Sequence, residues 1–176
     1  MINKAVLFDR DGVINIPYYR NNISHPPESI DEVKLYEGII ESIVKINNAG
    51  FKTFIITNQP DVERGIVSKK TVDEINNHIL SIINIDKLYI CYSSDNNHPD
   101  RKPNPGMLLK AAKEFDLDLT KSYVIGDRET DIIAGHDCGC KTILMMNHTK
   151  APNNSLSDFR VENIIDATNI ILGDIN

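Results

Sequence analysis

The stretch that decides the fold runs from Val6 to Gly12 and reads Val-Leu-Phe-Asp-Arg-Asp-Gly. Its apolar first half is typical of a buried β-strand, and two carboxylates, Asp9 and Asp11, follow directly before the glycine. In an open parallel sheet, ligands bind beyond the carboxyl ends of the strands, and Gly12 allows the tight turn that lets both aspartates face that crevice. Two carboxylates this close repel each other unless a cation neutralises them or one keeps its proton. The stretch therefore indicates a cation site or an acid/base group, with helix-capping aspartates as the purely structural alternative.

The composition is that of an ordinary globular chain. Its 176 residues are 41% hydrophobic and 25% charged, which predicts a single domain over residues 1–176 with a sizeable core. No apolar run approaches the roughly 20 residues of a membrane helix, and the first residues lack a secretory-signal pattern. The three cysteines form no disulfide pattern, which favours the cytoplasm, and the net charge of −6 argues against a nucleic-acid partner. We expect a cytoplasmic protein, a monomer or small homo-oligomer, with no membrane partner.

Strand-like and helix-like segments alternate along the chain. Strands are predicted at residues 5–8, 52–57, 87–91, 122–125 and 141–146, from β-branched and apolar runs. Helices are predicted at 39–49, 69–83, 105–115, 132–136 and 164–172, with Ser68 and Asn104 as N-caps. Long loops are predicted at residues 13–37 and from 147 to about 160. This alternation predicts an α/β fold with a central parallel sheet and right-handed crossovers.

Polar side chains follow four of the predicted strands, at the edge where parallel sheets bind ligands. They are Asp9 and Asp11, Thr57 and Asn58, Arg101 and Lys102, and Asp127 and Asp131. Packing does not readily explain polar residues that are scattered in the sequence but gathered at one edge. We therefore interpret this edge as the functional site.

The residue types at this edge suit phosphoryl transfer. Asp9 is the candidate nucleophile, because a carboxylate can attack phosphorus to give an aspartyl-phosphate. Mg²⁺ suits one or two carboxylates with substrate oxygens, and its expected ligands are Asp9, Asp127 and the main-chain carbonyl of Asp11. Lys102 and Thr57 are expected to stabilise charge on the transferring phosphoryl group. Asp11 is expected to protonate the leaving oxygen and later to activate the hydrolytic water.

Further residues are expected to bind the substrate or to support the site. The predicted substrate-binding residues are Asn58, Gln59, Arg101 and Arg128. Asp131 is expected to orient Lys102 or a metal-bound water rather than to bind the metal. Arg20 and Arg64 are candidates for holding a second anionic group, or are solvated loop residues. His25, His78 and His148 have no partner pattern and are interpreted as surface or loop residues.

Four sequence motifs occur in order at these predicted strand ends. They are Phe-Asp-Arg-Asp-Gly-Val, Thr-Asn-Gln, Arg-Lys-Pro-Asn-Pro-Gly-Met and Gly-Asp-Arg-Glu-Thr-Asp. Together they resemble the haloacid dehalogenase (HAD) superfamily of phosphatases, and within it subfamily IIIA, the histidinol-phosphate and D,D-heptose 1,7-bisphosphate phosphatase group. The resemblance implies a Rossmann-like three-layer sandwich, Mg²⁺ and an aspartyl-phosphate intermediate. The short gaps between motifs imply a capless HAD core.

Two departures from the family pattern bear on cofactor and substrate. Relatives commonly hold zinc in the loop before Arg-Lys-Pro, but here Cys91 and His98 offer at most two of the four ligands that structural zinc needs, so no zinc is predicted. Pro60 and Asp61 stand where the heptose enzymes usually have Ser-Gly. Proline removes a main-chain donor, and the aspartate adds negative charge near an anionic substrate.

The leading functional expectation is a Mg²⁺-dependent phosphomonoesterase acting on a small phosphorylated metabolite. A sugar phosphate such as D-glycero-D-manno-heptose 1,7-bisphosphate is the first candidate, and histidinol phosphate is the alternative. A nucleic-acid 3′-phosphatase fits less well, because the chain is acidic and lacks a basic, aromatic-rich stretch. A non-catalytic HAD-fold binding protein is a further alternative, against which the complete set of acidic and lysine residues argues.

Overall fold

The strands of the protein form one large sheet and one small hairpin. The computed structural model describes residues 2–20, 23–146 and 155–173, without the side chains of residues 19, 20, 23 and 24. The strands are β1 (Lys4–Phe8), β2 (Tyr18–Arg20), β3 (Ile23–His25), β4 (Phe51–Asn58), β5 (Lys87–Cys91), β6 (Tyr123–Gly126), β7 (Lys141–Met145) and β8 (Phe159–Val161). In the described residues, six of them form an all-parallel sheet of order β5-β4-β1-β6-β7-β8. The antiparallel β2–β3 pair forms the hairpin.

Helices connect the parallel strands. They are α1 (Ile39–Asn48), α2 (Lys69–Ile82), α3 (Gly106–Phe115), α4 (Glu129–Asp137) and α5 (Ile164–Gly173), with short 3₁₀ helices at Ile30–Glu32 and Leu119–Lys121. Ser68 is the N-cap of α2 as predicted, since its hydroxyl accepts a hydrogen bond from the Thr71 backbone N–H. Apart from α2, no helix or strand lies between β4 and β5 in the described chain.

The alternation of side chains along β1 divides the core into two layers. Val6 and Phe8 belong to a cluster that includes Ile43 of α1, Ile79 of α2 and Ile171 of α5. Ala5 and Leu7, the alternate residues of β1, belong to a second cluster with Met107 and Leu108 of α3 and Ala134 of α4. Side chains of successive strand residues point to opposite faces of the sheet, so α1, α2 and α5 cover one face and α3 and α4 the other. The predicted Rossmann-like three-layer α/β sandwich is confirmed.

The register of the central strands brings the motif residues together. Phe8 at the end of β1 pairs with Ile55 of β4 on one side and with Ile125 of β6 on the other. The backbone N–H of Asp9 then donates to the carbonyl of Ile125 at 2.9 Å. The strand ends that carry the motif residues therefore meet at one edge of the sheet.

Three local predictions differ from the structure. The predicted loop at residues 13–37 contains the hairpin β2–β3, and β8 lies in the other predicted loop, whose residues 147–154 are outside the described chain. Asn104 is not the cap of α3, because Pro105 occupies that position. The amide of Asn104 instead donates to the carbonyls of Asn96 and His98.

Within the described residues, none of the helices has the length and apolar character needed to cross a membrane.

Candidate active site

Lys102 is the buried cation of the site. It lies in the loop between β5 and α3, and only 3% of it is exposed. Its ammonium Nζ donates to Asp9 Oδ1 at 2.7 Å and to the carbonyl of Ile56 at 2.7 Å, and it pairs with Asp131 Oδ1 at 2.5 Å. A lysine ammonium has three N–H donors, and each therefore has an acceptor. Burial alone lowers the pKa of Lys102, but the neighbouring Asp131 and Asp9 outweigh it and hold this pKa above its ordinary value.

Asp9, Asp127 and Asp131 form a cluster of buried carboxylates. Each offers an oxygen, and these oxygens lie within 4.8 Å of one another. Burial raises the pKa of Asp9 to about 6, although Lys102 opposes the rise. Burial, with repulsion from Asp9 and Asp131, raises the pKa of Asp127 to about 8. Lys102 alone therefore does not neutralise the three carboxylates. Carboxylate oxygens this close together are suitable ligands for a small divalent cation.

Gly12 makes room for this cluster. Its φ of +104° belongs to the left-handed side of backbone space, which glycine adopts without steric cost. A Cβ atom at this position would lie 2.2 Å from Asp127 Oδ2. The glycine that the sequence places after Asp11 is therefore needed both for the turn and for the approach of Asp127.

The carboxylate of Asp11 is not part of the cluster but is held beside it by three donors. Arg10 Nη2 and Gln59 Nε2 donate to its Oδ2 at 2.7 and 2.8 Å, and Asn15 Nδ2 donates to its Oδ1 at 2.9 Å. Burial would raise the pKa of Asp11, but the Arg10 guanidinium and these hydrogen bonds lower it below its ordinary value. The two aspartates of the first motif therefore have opposite electrostatic surroundings.

The second motif supplies one hydroxyl and two amides. Thr57 Oγ1 accepts a hydrogen bond from Gln59 Nε2 at 2.9 Å, which leaves its own hydroxyl hydrogen available for donation. The side chain of Asn58 pairs with the backbone of Lys102, donating to its carbonyl and accepting from its N–H. Asn58 thus positions the loop of Lys102, a task that the sequence pattern did not indicate.

A cavity of about 390 Å³ opens over these groups. Its walls include six residues predicted to act in the site: Asp9, Asp11, Thr57, Asn58, Gln59 and Lys102. Arg128, another predicted residue, lines it together with Arg64 and Asp61, which are 3.2 Å apart as an ion pair. His25 and Thr130 also line the cavity. His25, interpreted from the sequence as a surface or loop residue, lies at the end of β3, a strand that the sequence did not predict.

Arg101 does not reach this cavity. Its Nη1 donates to the carbonyl of Ser93 at 2.9 Å and its Nε to Asn96 Oδ1 at 3.2 Å, so it fastens the loop that precedes Lys102. Its predicted contact with substrate stays a prediction that this conformation does not support.

In the same loop Cys91 Sγ lies 3.6 Å from His98 Nδ1. The expectation that no zinc binds there also stays a prediction.

The electrostatics of the cluster predict an unusual pH dependence of stability. Asp9 and Asp127 have ordinary pKa values of 3.8 but values of about 6 and 8 in the folded protein. Between about pH 4 and pH 8 the folded state therefore binds more protons than the unfolded state, so stability falls as the pH rises. We expect the melting temperature of protein stripped of divalent cations to fall by at least about 5 °C from pH 5 to pH 8.

The measurement is a set of melting curves in chelator at both pH values. Asp127→Asn should flatten the dependence, because it removes the group with the larger rise. The exposed Asp137 of α4 offers a matched control, since Asp137→Asn should leave the slope unchanged. A melting temperature that rises with pH over this range would contradict the prediction.

Similarity to known proteins agrees with this geometry. A family described as HAD-hydrolase-like matches residues 100–167. The chain is 31% identical over 173 residues to the D-glycero-beta-D-manno-heptose-1,7-bisphosphate 7-phosphatase of Helicobacter pylori strain J99, covering 93% of this chain and 96% of the relative. The chain belongs to the HAD superfamily of phosphatases. It is also 33% identical over 165 residues to a Campylobacter jejuni D-glycero-alpha-D-manno-heptose-1,7-bisphosphate 7-phosphatase, covering 91% and 92% of the two chains.

Solved structures share the fold of this HAD phosphatase. The D,D-heptose 1,7-bisphosphate phosphatase of B. bronchiseptica, in complex with magnesium and phosphate, superposes with a TM-score of 0.78 at 23% identity. The alignment covers 97% of this chain and 99% of the other. The relatives named as 7-phosphatases, at 31% and 33% identity over most of the chain, make it a phosphoric monoester hydrolase, as expected from the sequence.

Proposed function

We propose that the chain is a Mg²⁺-dependent phosphatase that removes the 7-phosphate of D-glycero-D-manno-heptose 1,7-bisphosphate. The observation that carries the proposal is the buried cluster of Asp9, Asp127, Asp131 and Lys102 at the edge of a polar cavity. The relatives named as heptose bisphosphate phosphatases support the substrate. Asp9, Asp127 and the main-chain carbonyl of Asp11 would hold the metal. Bound there, Mg²⁺ would supply positive charge against the phosphoryl oxygens.

The residues of the chain divide the reaction between them. An oxygen of Asp9 attacks phosphorus and forms an aspartyl-phosphate while the bond to the leaving oxygen breaks. Asp11 needs a proton for this step, and the phosphate dianion beside it would raise its pKa so that it takes one up from solvent as the substrate binds. That proton goes to the leaving oxygen, which leaves Asp11 as a carboxylate. Asp11 then takes a proton from the water that attacks phosphorus, and Asp9 is released as a carboxylate. Lys102 and the Thr57 hydroxyl stabilise the charge on the phosphoryl group throughout.

The mouth of the cavity favours a substrate with a second negative group. Arg128 and Arg64 line the cavity, and their side chains are 56% and 49% exposed, so they can meet a ligand without much desolvation. Lys102 is buried instead and lines the cavity, where its charge would act on the reacting phosphate. A bisphosphate fits this arrangement, because one phosphate can lie beside the buried Lys102 and the other beside Arg128 and Arg64 at the mouth of the cavity. Histidinol phosphate is the second candidate, because Asp61 also lines the cavity and could accept a hydrogen bond from its ammonium group.

The experiment is a substrate comparison with purified wild-type protein. Heptose 1,7-bisphosphate, heptose 7-phosphate, histidinol phosphate and a 3′-phosphorylated oligonucleotide are each assayed for phosphate release, with Mg²⁺ and with chelator. We expect the bisphosphate to have the highest kcat/KM and chelator to abolish its hydrolysis. Better hydrolysis of histidinol phosphate would overturn the heptose assignment and leave the phosphatase chemistry. Full activity in chelator would overturn the metal requirement.

Arg128 is predicted to recognise the second phosphate. Arg128→Gln should raise KM for heptose 1,7-bisphosphate by about 10-fold, because one charge-assisted contact to a phosphate is lost. The variant should change KM for heptose 7-phosphate by less than about 2-fold, since that substrate lacks the second anion. Steady-state kinetics on both substrates make the comparison. Equal changes in the two KM values would contradict a role in recognising the second group.

A further inference from the structure

Asn76 is a buried polar residue on an otherwise apolar helix face. It lies on α2 beside Val72, Ile75 and Ile79, and only 3% of it is exposed. Its Oδ1 accepts a hydrogen bond from Arg10 Nη1 at 2.8 Å, while its Nδ2 has no hydrogen-bond partner among the described residues. A buried donor left unsatisfied costs about 1–3 kcal/mol. This cost offsets part of what the fold gains when Asn76 accepts from the buried Arg10, so the effect of the asparagine is sought in Arg10.

Arg10 connects this helix to the site. Its side chain is among the largest fully buried ones, at 1% exposure, and its two terminal nitrogens bond in different directions. Nη1 donates to Asn76, and Nη2 donates to Asp11 Oδ2 at 2.7 Å. The guanidinium is planar and rigid, so fixing one terminal nitrogen also fixes the direction of the other. The hydrogen bond from Arg10 Nη1 to Asn76 therefore helps to fix the position from which Arg10 Nη2 donates to Asp11.

The contacts of Asp11 correspond to one stage of the reaction. All three of its partners are donors, and they bond to both of its oxygens, which is the arrangement of a carboxylate. In the proposed reaction Asp11 is a carboxylate after it has given its proton to the leaving oxygen and before it takes one from water. Arg10, Asn15 and Gln59 would thus hold it in place between the two proton transfers.

We propose that Asn76 is a positioning residue for proton transfer in this enzyme. By holding the Arg10 guanidinium, it sets the place of the Asp11 carboxylate relative to the leaving oxygen. The inference rests on the proposed role of Asp11 as general acid and base. A displacement of about 1 Å at a group of this kind costs orders of magnitude in rate, so a residue one contact removed can matter.

The purely structural explanation is that the Arg10–Asn76 bond fastens α2 to the end of β1. The two explanations differ in their dependence on the leaving group. An alkoxide leaves only with a proton from Asp11, whereas 4-nitrophenolate is stable enough to leave without one. Both substrates need Asp11 to activate water in the second step, so they differ only in the first step, in which the leaving group departs and Asp9 is phosphorylated. Loosening of the helix would slow this first step for both substrates alike, and misplacement of Asp11 would slow it mainly for the alkyl phosphate.

The experiment measures the single-turnover rate at which Asn76→Leu, in excess over substrate, releases the leaving group from heptose 1,7-bisphosphate and from 4-nitrophenyl phosphate. We expect the release rate for the sugar phosphate to fall by about 10- to 100-fold and that for the aryl phosphate by less than about 3-fold. Ile79→Ala is the matched control, because Ile79 is buried on the same face and no hydrogen bond ties its side chain to Arg10. It should lower the melting temperature and keep the ratio of the two release rates.

A double-mutant cycle tests the route through Arg10. Arg10→Lys keeps the charge but cannot bond in both directions as a planar fork, so Asn76→Leu should add little to its defect. If Asn76→Leu does not fold, Asn76→Ser removes the amide at smaller volume and is judged by the same ratio. Equal losses on both substrates, or no loss on either, would overturn the inference. A wild-type protein that hydrolyses neither substrate would overturn the proposed function on which it depends.

Discussion

Asp9→Asn is expected to lower kcat by about 10⁴-fold or more, on the sugar phosphate and on 4-nitrophenyl phosphate alike. The amide is nearly the same size as the carboxylate but cannot form the aspartyl-phosphate, so the covalent route is lost whatever the leaving group. It also removes one of the proposed Mg²⁺ ligands. Phosphate release in Mg²⁺ measures the loss, and residual activity within 100-fold of wild type would exclude Asp9 as nucleophile.

The folding of this variant should be little affected. The amide removes one of three crowded carboxylates, and the repulsion from Asp9 is one cause of the raised pKa of Asp127. Lys102 retains Asp131 and the carbonyl of Ile56 as acceptors. The melting temperature at pH 7 should therefore stay close to that of wild type. Asp137→Asn, at an exposed carboxylate of α4, is the matched control and should keep full activity.

Lys102→Met should reduce both catalysis and stability. The buried ammonium neutralises Asp9 and Asp131 and faces the proposed phosphoryl group, so we expect kcat/KM to fall by about 10²- to 10³-fold. Removing one partner of a buried ion pair costs about 3–5 kcal/mol, because the remaining charges stay buried without compensation. The loss of unfolding free energy should be larger at pH 8 than at pH 5, since Asp9 and Asp127 can take up protons at the lower pH.

Urea unfolding in chelator at both pH values measures the stability term. Lys110 supplies the control: it pairs with Asp100 on the surface of α3, with 59% of its side chain exposed. Lys110→Met should change the unfolding free energy by at most about 1 kcal/mol at either pH and leave kcat/KM unchanged. Equal destabilisation by the two variants would contradict the account of Lys102 as the buried counter-charge.

The sheet and its helices could be predicted from the sequence because their signals are local. The apolar runs of β1 and β4 are typical of buried strands, and the periodic isoleucines of α1 indicate the buried face of a helix. The β2–β3 hairpin and β8 were missed since each strand has only three residues, too few to show a period. Their pairing depends on neighbours that the sequence does not reveal.

Some residues of the candidate site could also be predicted from the sequence, and others could not. Asp9, Lys102 and Asp127 could be placed because each follows a predicted strand, and parallel strands end at one edge. Asn15 and Asn76 both act on the first motif, directly or through Arg10, yet neither has a sequence signal. Asn76 lies 66 positions from Arg10, and only the packing of α2 against the sheet brings them together. Arg101 is the opposite case, a residue with a sequence signal but no matching contact. Its place beside Lys102 suggested a contact with substrate, but its hydrogen bond to the carbonyl of Ser93 in the loop does not support one.

The most direct test of the account is to find the phosphoryl group on the protein. Asp11→Asn is mixed with 4-nitrophenyl phosphate and Mg²⁺, since this substrate forms the intermediate without a general acid and the variant cannot activate water to remove it. The reaction is stopped with acid, and the peptides of a pepsin digest are weighed by mass spectrometry. The account predicts that the peptide containing Asp9 gains the mass of one phosphoryl group. A phosphoryl group on another residue, or on none while nitrophenol is released, would contradict it.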